Sequence, residues 1–168
     1  QDQDEAGIPG VLVELFASSG RKIAENHTTA DGRYNFTGLV PGGYYLKFTR
    51  PDGHHTSPAD QAGDGSDSDA VGDGLTEETT LSSGEYDPTW DAGFYRLAAL
   101  GGFVWDDQNA DGIYQGRGAG MPAVTVNLYF SNGTLAGSTA TNENGYYLFS
   151  DLVPGGYYLK FTRPDGHH

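Results

Sequence analysis

The 168-residue chain contains no cysteine. A disulfide framework and a thiolate metal site are therefore both excluded. Positive charge is scarce: nine Lys and Arg stand against 23 Asp and Glu, for a net charge of −14. Such a surface repels phosphate backbones and anionic headgroups, so nucleic acid is not an expected partner. No apolar run approaches the ~20 residues that a membrane-crossing helix needs, so no membrane insertion is expected in this segment. There is no phosphate-cradling glycine loop, no nucleophile elbow, and no nucleophile grouped with a base. The chain does not read as an enzyme. The histidine pairs His54-His55 and His167-His168 each follow a Pro-Asp-Gly turn and read as exposed turn residues.

Turn residues and internal repetition are abundant instead. Glycine alone accounts for 26 residues, which predicts many turns between short strands. The 17 residues LVPGGYYLKFTRPDGHH occur twice, at 39–55 and at 152–168, an offset of 113. The same offset, without gaps, aligns GIPGVLVELF (7–16) with GMPAVTVNLY (120–129) and DGRYNF (31–36) with NGYYLF (144–149). A period this long is a small domain, not a solenoid unit of roughly 20–50 residues. It divides the chain into residues 1–99 and 100–168. The first repeat is expected to lack its first strand and the second its last strands. Either the chain is a window on a longer array, or neighbouring copies complete each module by contributing strands.

Apolar residues alternate along most segments, the mark of half-buried strands. Val11, Val13 and Leu15, and their counterparts Val124, Val126 and Leu128, stay apolar in both repeats and form the predicted core face. Further strands are expected over 22–29 and 135–141, over 44–49 and 157–162 with Tyr44, Leu46 and Phe48 inward, and about 76–81 and 89–96. A polar loop is expected over 51–74, a linker over 97–100, and a new leading strand over 101–106. Tyr34 and Phe36, like Tyr147 and Phe149, should share one face. A full repeat then has about seven strands, the pattern of a two-sheet sandwich.

The sharpest chemical motif is Asp107-Gln-Asn109-Ala-Asp111-Gly112, the start of a D-x-N-x-D-G calcium loop. Alternating acidic and amide side chains converge when such a chain curls, and position seven adds the Ile113 carbonyl. Positions nine and twelve hold Gln115 and Gly118, so the closing ligand is absent in this repeat. In the first repeat the same two positions hold Asp2 and Glu5. The parent module is therefore expected to bind Ca²⁺. A second acidic cluster comprises Asp60, Asp64, Asp67, Asp69 and Asp73; as crowded carboxylates they need solvent or a cation, for which Asp64, Asp67 and Asp69 are the candidate ligands. Three N-x-S/T sequons, at Asn26, Asn35 and Asn132, are candidate glycosylation sites.

At these residues the chain resembles a known family. The run FVWDDQNADG (103–112), the pattern P-x-V-x-V-x-L, the pattern D-G-x-Y-x-F-x-x-L-x-P-G-x-Y and the run TWDAGFY (89–95) are similar to the B-repeat modules of serine-aspartate repeat surface proteins. The resemblance implies tandem immunoglobulin-like or prealbumin-like β-sandwiches of the collagen-adhesin B type, at the cell surface, rigidified by calcium. It implies ligands at Asp107, Asn109 and Asp111, at Asp2 and Glu5, and in the element Asp67-Ser68-Asp69. The expected role is a spacer or stalk whose partners are neighbouring copies of itself. The alternative is an adhesin module that binds carbohydrate or another host ligand through its tyrosines and tryptophans.

Overall fold

The computed structural model describes residues 5–63, 67–114 and 120–162. The described residues form strands and turns with no helix, in two compact units, Gln1–Arg96 and Leu97–His168. The boundary falls ahead of the expected one because residues 98–100, expected in a linker, belong to a strand of the second unit.

In the first unit, β1 (Leu12–Ala17), β2 (Lys22–His27), β3 (Gly42–Phe48) and β5 (Thr79–Leu81) form an antiparallel sheet in the order β2-β1-β3-β5. Two short strands, β4 (His55–Thr56) and β6 (Phe94–Tyr95), pair separately. The second unit contains β7 (Ala98–Phe103), β8 (Thr125–Phe130), β9 (Leu135–Ala140), β10 (Tyr146–Leu152) and β11 (Tyr157–Phe161). Its sheets have the orders β11-β8-β9 and β10-β7. Leu15 lies opposite Leu46 on β3, and Leu128 lies opposite Leu159 on β11. The central hairpins thus repeat residue for residue at the offset seen in the sequence.

Strand alternation sends the expected residues inward. Val11, Val13, Leu15, Tyr44, Leu46 and Phe48 are buried, as are Val124, Val126 and Leu128. Tyr34, Phe36, Trp90 and Phe94 pack on the first core, and Tyr147, Leu100 and Leu159 pack on the second. One polar device recurs beside each core. Thr28 donates its hydroxyl to the Ile8 carbonyl and accepts the Val11 amide, and Thr141 does the same with Met121 and Val124. That use of Thr28 is why the second strand stops at His27 rather than running to 29. A pair of glycines also recurs: a Cβ on Gly7 or Gly120 would lie about 2 Å from the carbonyl oxygen of Asp31 or Asn144.

Several expected elements differ. Residues 33–39 carry Tyr34 and Phe36 against the core but form no strand, whereas the equivalent residues of the second unit form β10. β10 has β7 as its partner, and no described strand holds that place in the first unit. The strands expected over 76–81 and 89–96 shorten to three and two residues. The loop expected over 51–74 contains β4, so the first histidine pair is half-buried rather than exposed. His55 stacks on Tyr95, and His54 Nε2 accepts the Arg96 Nε–H at 3.1 Å. The other ring nitrogen, Nδ1, lies 3.0 Å from the Asp52 carbonyl oxygen.

Candidate cation-binding loops

The loop between β7 and β8 curls as its sequence predicts. Ala110 and Gly112 both adopt left-handed backbone conformations, with φ of 56° and 74°. Glycine does so without steric cost; alanine does not. The polar side chains fold back on the chain. Asp107 Oδ2 accepts the Gly112 amide at 2.8 Å, and Asp111 Oδ1 accepts the Ile113 amide at 2.7 Å. Asn109 Nδ2 donates to Asp111 Oδ2 at 2.8 Å. The structure therefore gathers Asp107, Asn109 and Asp111 into one turn with the backbone of Ile113. The donor set is all oxygen and suits a hard cation in kind. Gln115 and Gly118 lie outside the described residues. Among the described residues, no three His, Cys, Asp or Glu side chains converge as a metal-holding group.

The first-repeat counterpart is only partly visible. Glu5 is exposed, and Asp2 lies outside the described residues.

The second acidic region is built by packing between distant segments. Asp67 Oδ2 accepts the Ala62 amide at 2.8 Å. Asp69 Oδ2 accepts the Asp91 amide at 2.6 Å, and the Asp69 amide returns a bond to the Asp91 carbonyl. Ser68, between them, is buried; its hydroxyl accepts the Gly93 amide and donates to the Ala70 carbonyl. This ladder sets Asp69 beside Asp91, and the charge of Asp67 also acts on Asp91, without the three carboxylates converging on one point; Asp64 lies outside the described residues. The carboxyl end of Asp91 sits against protein although the residue as a whole is exposed. That desolvation, then the charges of Asp69 and Asp67, raises its pKa above the usual carboxyl value. Tyr34 donates to the Trp90 carbonyl, and its phenol is pushed far up by burial and then by the charge of Asp91. Asp87 goes the other way: burial opposes ionisation, but bonds from Thr89 and Trp90 outweigh it and lower its pKa.

Sequence reasoning missed Asp91 as a member of this cluster. The signal available was the run TWDAGFY, which carries it. The three sequons also separate. Asn26 is half-buried and donates to the Asn35 carbonyl, and Thr28 of its sequon is committed to Ile8 and Val11. Asn35 and Asn132 are exposed, the latter capping a turn through the Thr134 amide.

A family model described as the SdrD B-like domain matches residues 1–94 and again 98–168. Serine-aspartate repeat-containing protein D of Staphylococcus aureus (strain Newman) is 38% identical over 169 residues, covering 99% of this chain and 12% of that protein. Serine-aspartate repeat-containing protein F of Staphylococcus epidermidis (strain ATCC 12228) is 36% identical over 168 residues, covering 99% of this chain and 10% of that protein. The chain thus spans about a tenth of the length of these relatives. Among solved structures, the Bacillus anthracis TIE protein aligns at a TM-score of 0.40 and 18% identity, over 95% of this chain and 26% of that one. A streptococcal ancillary pilin aligns at 0.39 and 17%, over 98% of this chain and 52% of that one.

Proposed function

The chain belongs to the SdrD B-like domain family, a family of cell-surface proteins, and from that premise we propose that its two repeats are calcium-stiffened spacer units of an extracellular stalk. The observation that carries this reading is the repetition itself. Two units place the same residues of the same hairpin in the same register, which is how a chain extends by adding modules. Calcium would be held by Asp107, Asn109, Asp111 and the Ile113 carbonyl, with Asp2 and Glu5 in the corresponding loop of the first repeat. Asp67 and Asp69, joined by Asp91, are a second candidate position, together with Asp64. A bound divalent ion would supply charge neutralisation and cross-link the loop to itself.

Modules of this kind work in series, so the expected partners are copies of the same unit. The outer edge of β11 supports a second element of the reading. Its counterpart β3 pairs with β5 along that edge, and β11 has no such neighbour among the described residues. A strand from further along the chain or from a neighbouring copy would complete it.

Thermal melting tests the calcium element. Ca²⁺ that binds the folded state stabilises it by RT ln(1 + [L]/Kd), about 2.7 kcal/mol at a hundred times Kd. Melting should rise on adding Ca²⁺ and return in EDTA. The double substitution D107N/D111N should abolish the part of the rise that belongs to the second unit. No rise, with no metal found by elemental analysis, would remove calcium from the proposal and leave the spacer reading to its other support.

A further inference from the structure

The dipeptide Asn-Gly occurs twice, at Asn132-Gly133 and Asn144-Gly145. In such a pair the following backbone nitrogen can attack the side-chain amide, because glycine offers no side chain to hinder the approach. Both pairs lie at turns, with the asparagine exposed and the glycine left-handed, at φ of 89° and 81°. In both, the glycine amide donates to the carbonyl three residues back, of Phe130 or Asn142, at 2.9 Å. Their surroundings differ.

Asn132-Gly133 is the open tip of the β8–β9 hairpin. Beyond its own neighbours in the chain, a Cβ on Gly133 would meet nothing nearer than the Tyr158 hydroxyl, 3.9 Å away. Asn132 Oδ1 accepts the Thr134 amide at 2.9 Å. That bond folds the side chain back along its own backbone and draws electron density from Cγ. It also places a backbone donor on the oxygen that becomes an oxyanion when Cγ is attacked. Asn144-Gly145 is instead wedged against other segments of the second unit. The Gly145 carbonyl accepts the Val104 amide at 2.9 Å, and a Cβ on Gly145 would strike the Val104 carbonyl and the Gly120 backbone. The Asn144 carbonyl in turn closes on Gly120. A five-membered ring formed at this peptide bond would need the turn to leave that packing.

The first repeat has the same two turns with other chemistry. Ser19-Gly20 stands in place of Asn132-Gly133, with Gly20 at φ of 84° and its amide on the Ala17 carbonyl at 2.8 Å. Asp31-Gly32 stands in place of Asn144-Gly145. The hairpin therefore does not need asparagine at its tip.

We propose that Asn132 is a self-modifying site: in the folded protein its side-chain amide is lost to attack by the Gly133 nitrogen, while Asn144 is protected. The bond from Gly133 to Phe130 opens, hydroxide removes the Gly133 amide proton, and the nitrogen lone pair forms a bond to Asn132 Cγ. The Cγ–Nδ2 bond then breaks, and Nδ2 leaves as ammonia with a proton from water. The product is a cyclic imide. Water adds to one of its two carbonyls and reopens the ring. Opening at Cγ leaves aspartate. Opening at the backbone carbonyl leaves isoaspartate, with the chain running through the side chain. Either way one amide and one water become one carboxylate and one ammonium ion, and the chain gains a negative charge. An exposed hairpin tip can absorb the extra methylene, so the fold survives. The reaction consumes the nitrogen that a glycan on the Asn132 sequon would need, so the two modifications exclude each other. It depends on neither calcium nor assembly.

The test is incubation of the full 168-residue chain at mildly alkaline pH, folded and in guanidinium. Tandem mass spectrometry assigns the site, and isoaspartyl methyltransferase detects isoaspartate. Unfolded, both asparagines should lose their amides at similar rates. Folded, Asn132 should react at least about tenfold faster than Asn144, which reacts only when its turn opens locally. The Asn132 rate should rise in proportion to hydroxide. Ser19→Asn, which places the pair on the first repeat's own turn, should create a second reactive site in the folded chain. The proposal is overturned if Asn132 keeps its amide in the folded chain over a time in which the unfolded chain loses it. It is equally overturned if the two asparagines react at the same rate when folded, since their surroundings would then decide nothing. If the new amide in folded Ser19→Asn stays intact, the open turn is not the reactive feature, and the proposal falls as well.

Discussion

The same strand sequence, YYLKF, occupies two environments in this chain, at 44–48 and at 157–161. On β3, Phe48 is 3% exposed; on β11 its repeat, Phe161, is 49% exposed. Tyr44 is buried and Tyr157 only half-buried, although both donate a hydroxyl to the carbonyl four residues back, at Val40 or Val153. Both phenylalanines also keep the same ring neighbour, Tyr34 or Tyr147, edge to face. The hairpin register and these ring and hydroxyl contacts are thus shared, and the difference comes from other segments. In the first unit Ala70, Trp90, Ala92 and Phe94 close the core beside Phe48. Strand sequence determines which side chains face inward. What later packs on them determines how much burial stabilises.

The sharpest way to break that comparison is to truncate both phenylalanines. Phe48→Ala removes a fully packed ring and should cost about 3–5 kcal/mol. Phe161→Ala removes one that is already half in water and should cost roughly 1 kcal/mol in this chain. The two tryptophans make the units separately readable in urea, since Trp90 lies in the first and Trp105 in the second. Equal losses would mean that the two environments do not differ as described.

A finer contrast lies at the turn before each core strand. Gly10 and Ala123 are equivalent and both adopt left-handed conformations, with φ of 75° and 59°. Glycine pays no steric penalty there, and alanine pays about 1 kcal/mol. Ala123→Gly should stabilise the second unit by about that amount, and Gly10→Ala should destabilise the first by about as much. No side chain would crowd a Cβ at Gly10, so backbone strain alone is measured. Opposite shifts in the two urea transitions are the expected result; shifts of the same sign would refute the assignment.

These contrasts show what could be read from the residues. Period-two alternation located Val13, Leu15, Val126 and Leu128, because a buried face leaves its mark wherever one side of a strand meets water. The D-x-N-x-D-G spacing located the curled loop at Asp107, because its turns depend on neighbours a few residues apart. The absence of a strand at Tyr34 and Phe36 was not legible. Those residues are as strand-like as Tyr147 and Phe149, and the missing factor is a pairing partner distant in the chain. Asp91 escaped for a related reason: it meets Asp69 only through a ladder across more than twenty residues. The ring contact between Tyr146 and Phe103 was hidden as well, since Tyr146 reads as one more alternating strand residue until Phe103 is seen opposite it.

The smallest effect concerns the acidic cluster, and its sign can be worked out in advance. Desolvation, then Asp69 and Asp67, raise the pKa of Asp91 in the folded chain. Between the ordinary carboxyl value and that raised value, the folded state holds more protons than the unfolded one. Stability therefore falls as pH rises through this window, and the cost is fully present at neutral pH. Asp87 contributes in the opposite sense, since its lowered pKa adds stability that is lost on acidification. Asp69→Asn separates the two. Its amide oxygen can still accept the Asp91 amide, while the charge beside the Asp91 carboxylate disappears. Relief of like charge at a largely exposed site is worth at most about 1 kcal/mol, or a rise of a few degrees in the first unit's melting temperature in EDTA. That gain should shrink as pH falls through the window between the raised and the ordinary carboxyl value, where the parent's Asp91 takes up its proton. A gain that stays constant from pH 7 to pH 4 would show that charge at Asp69 is not what burdens the cluster. In Ca²⁺ the same substitution should lose its advantage if the cluster holds the ion, because the charge it removes is then one that the cation already neutralises.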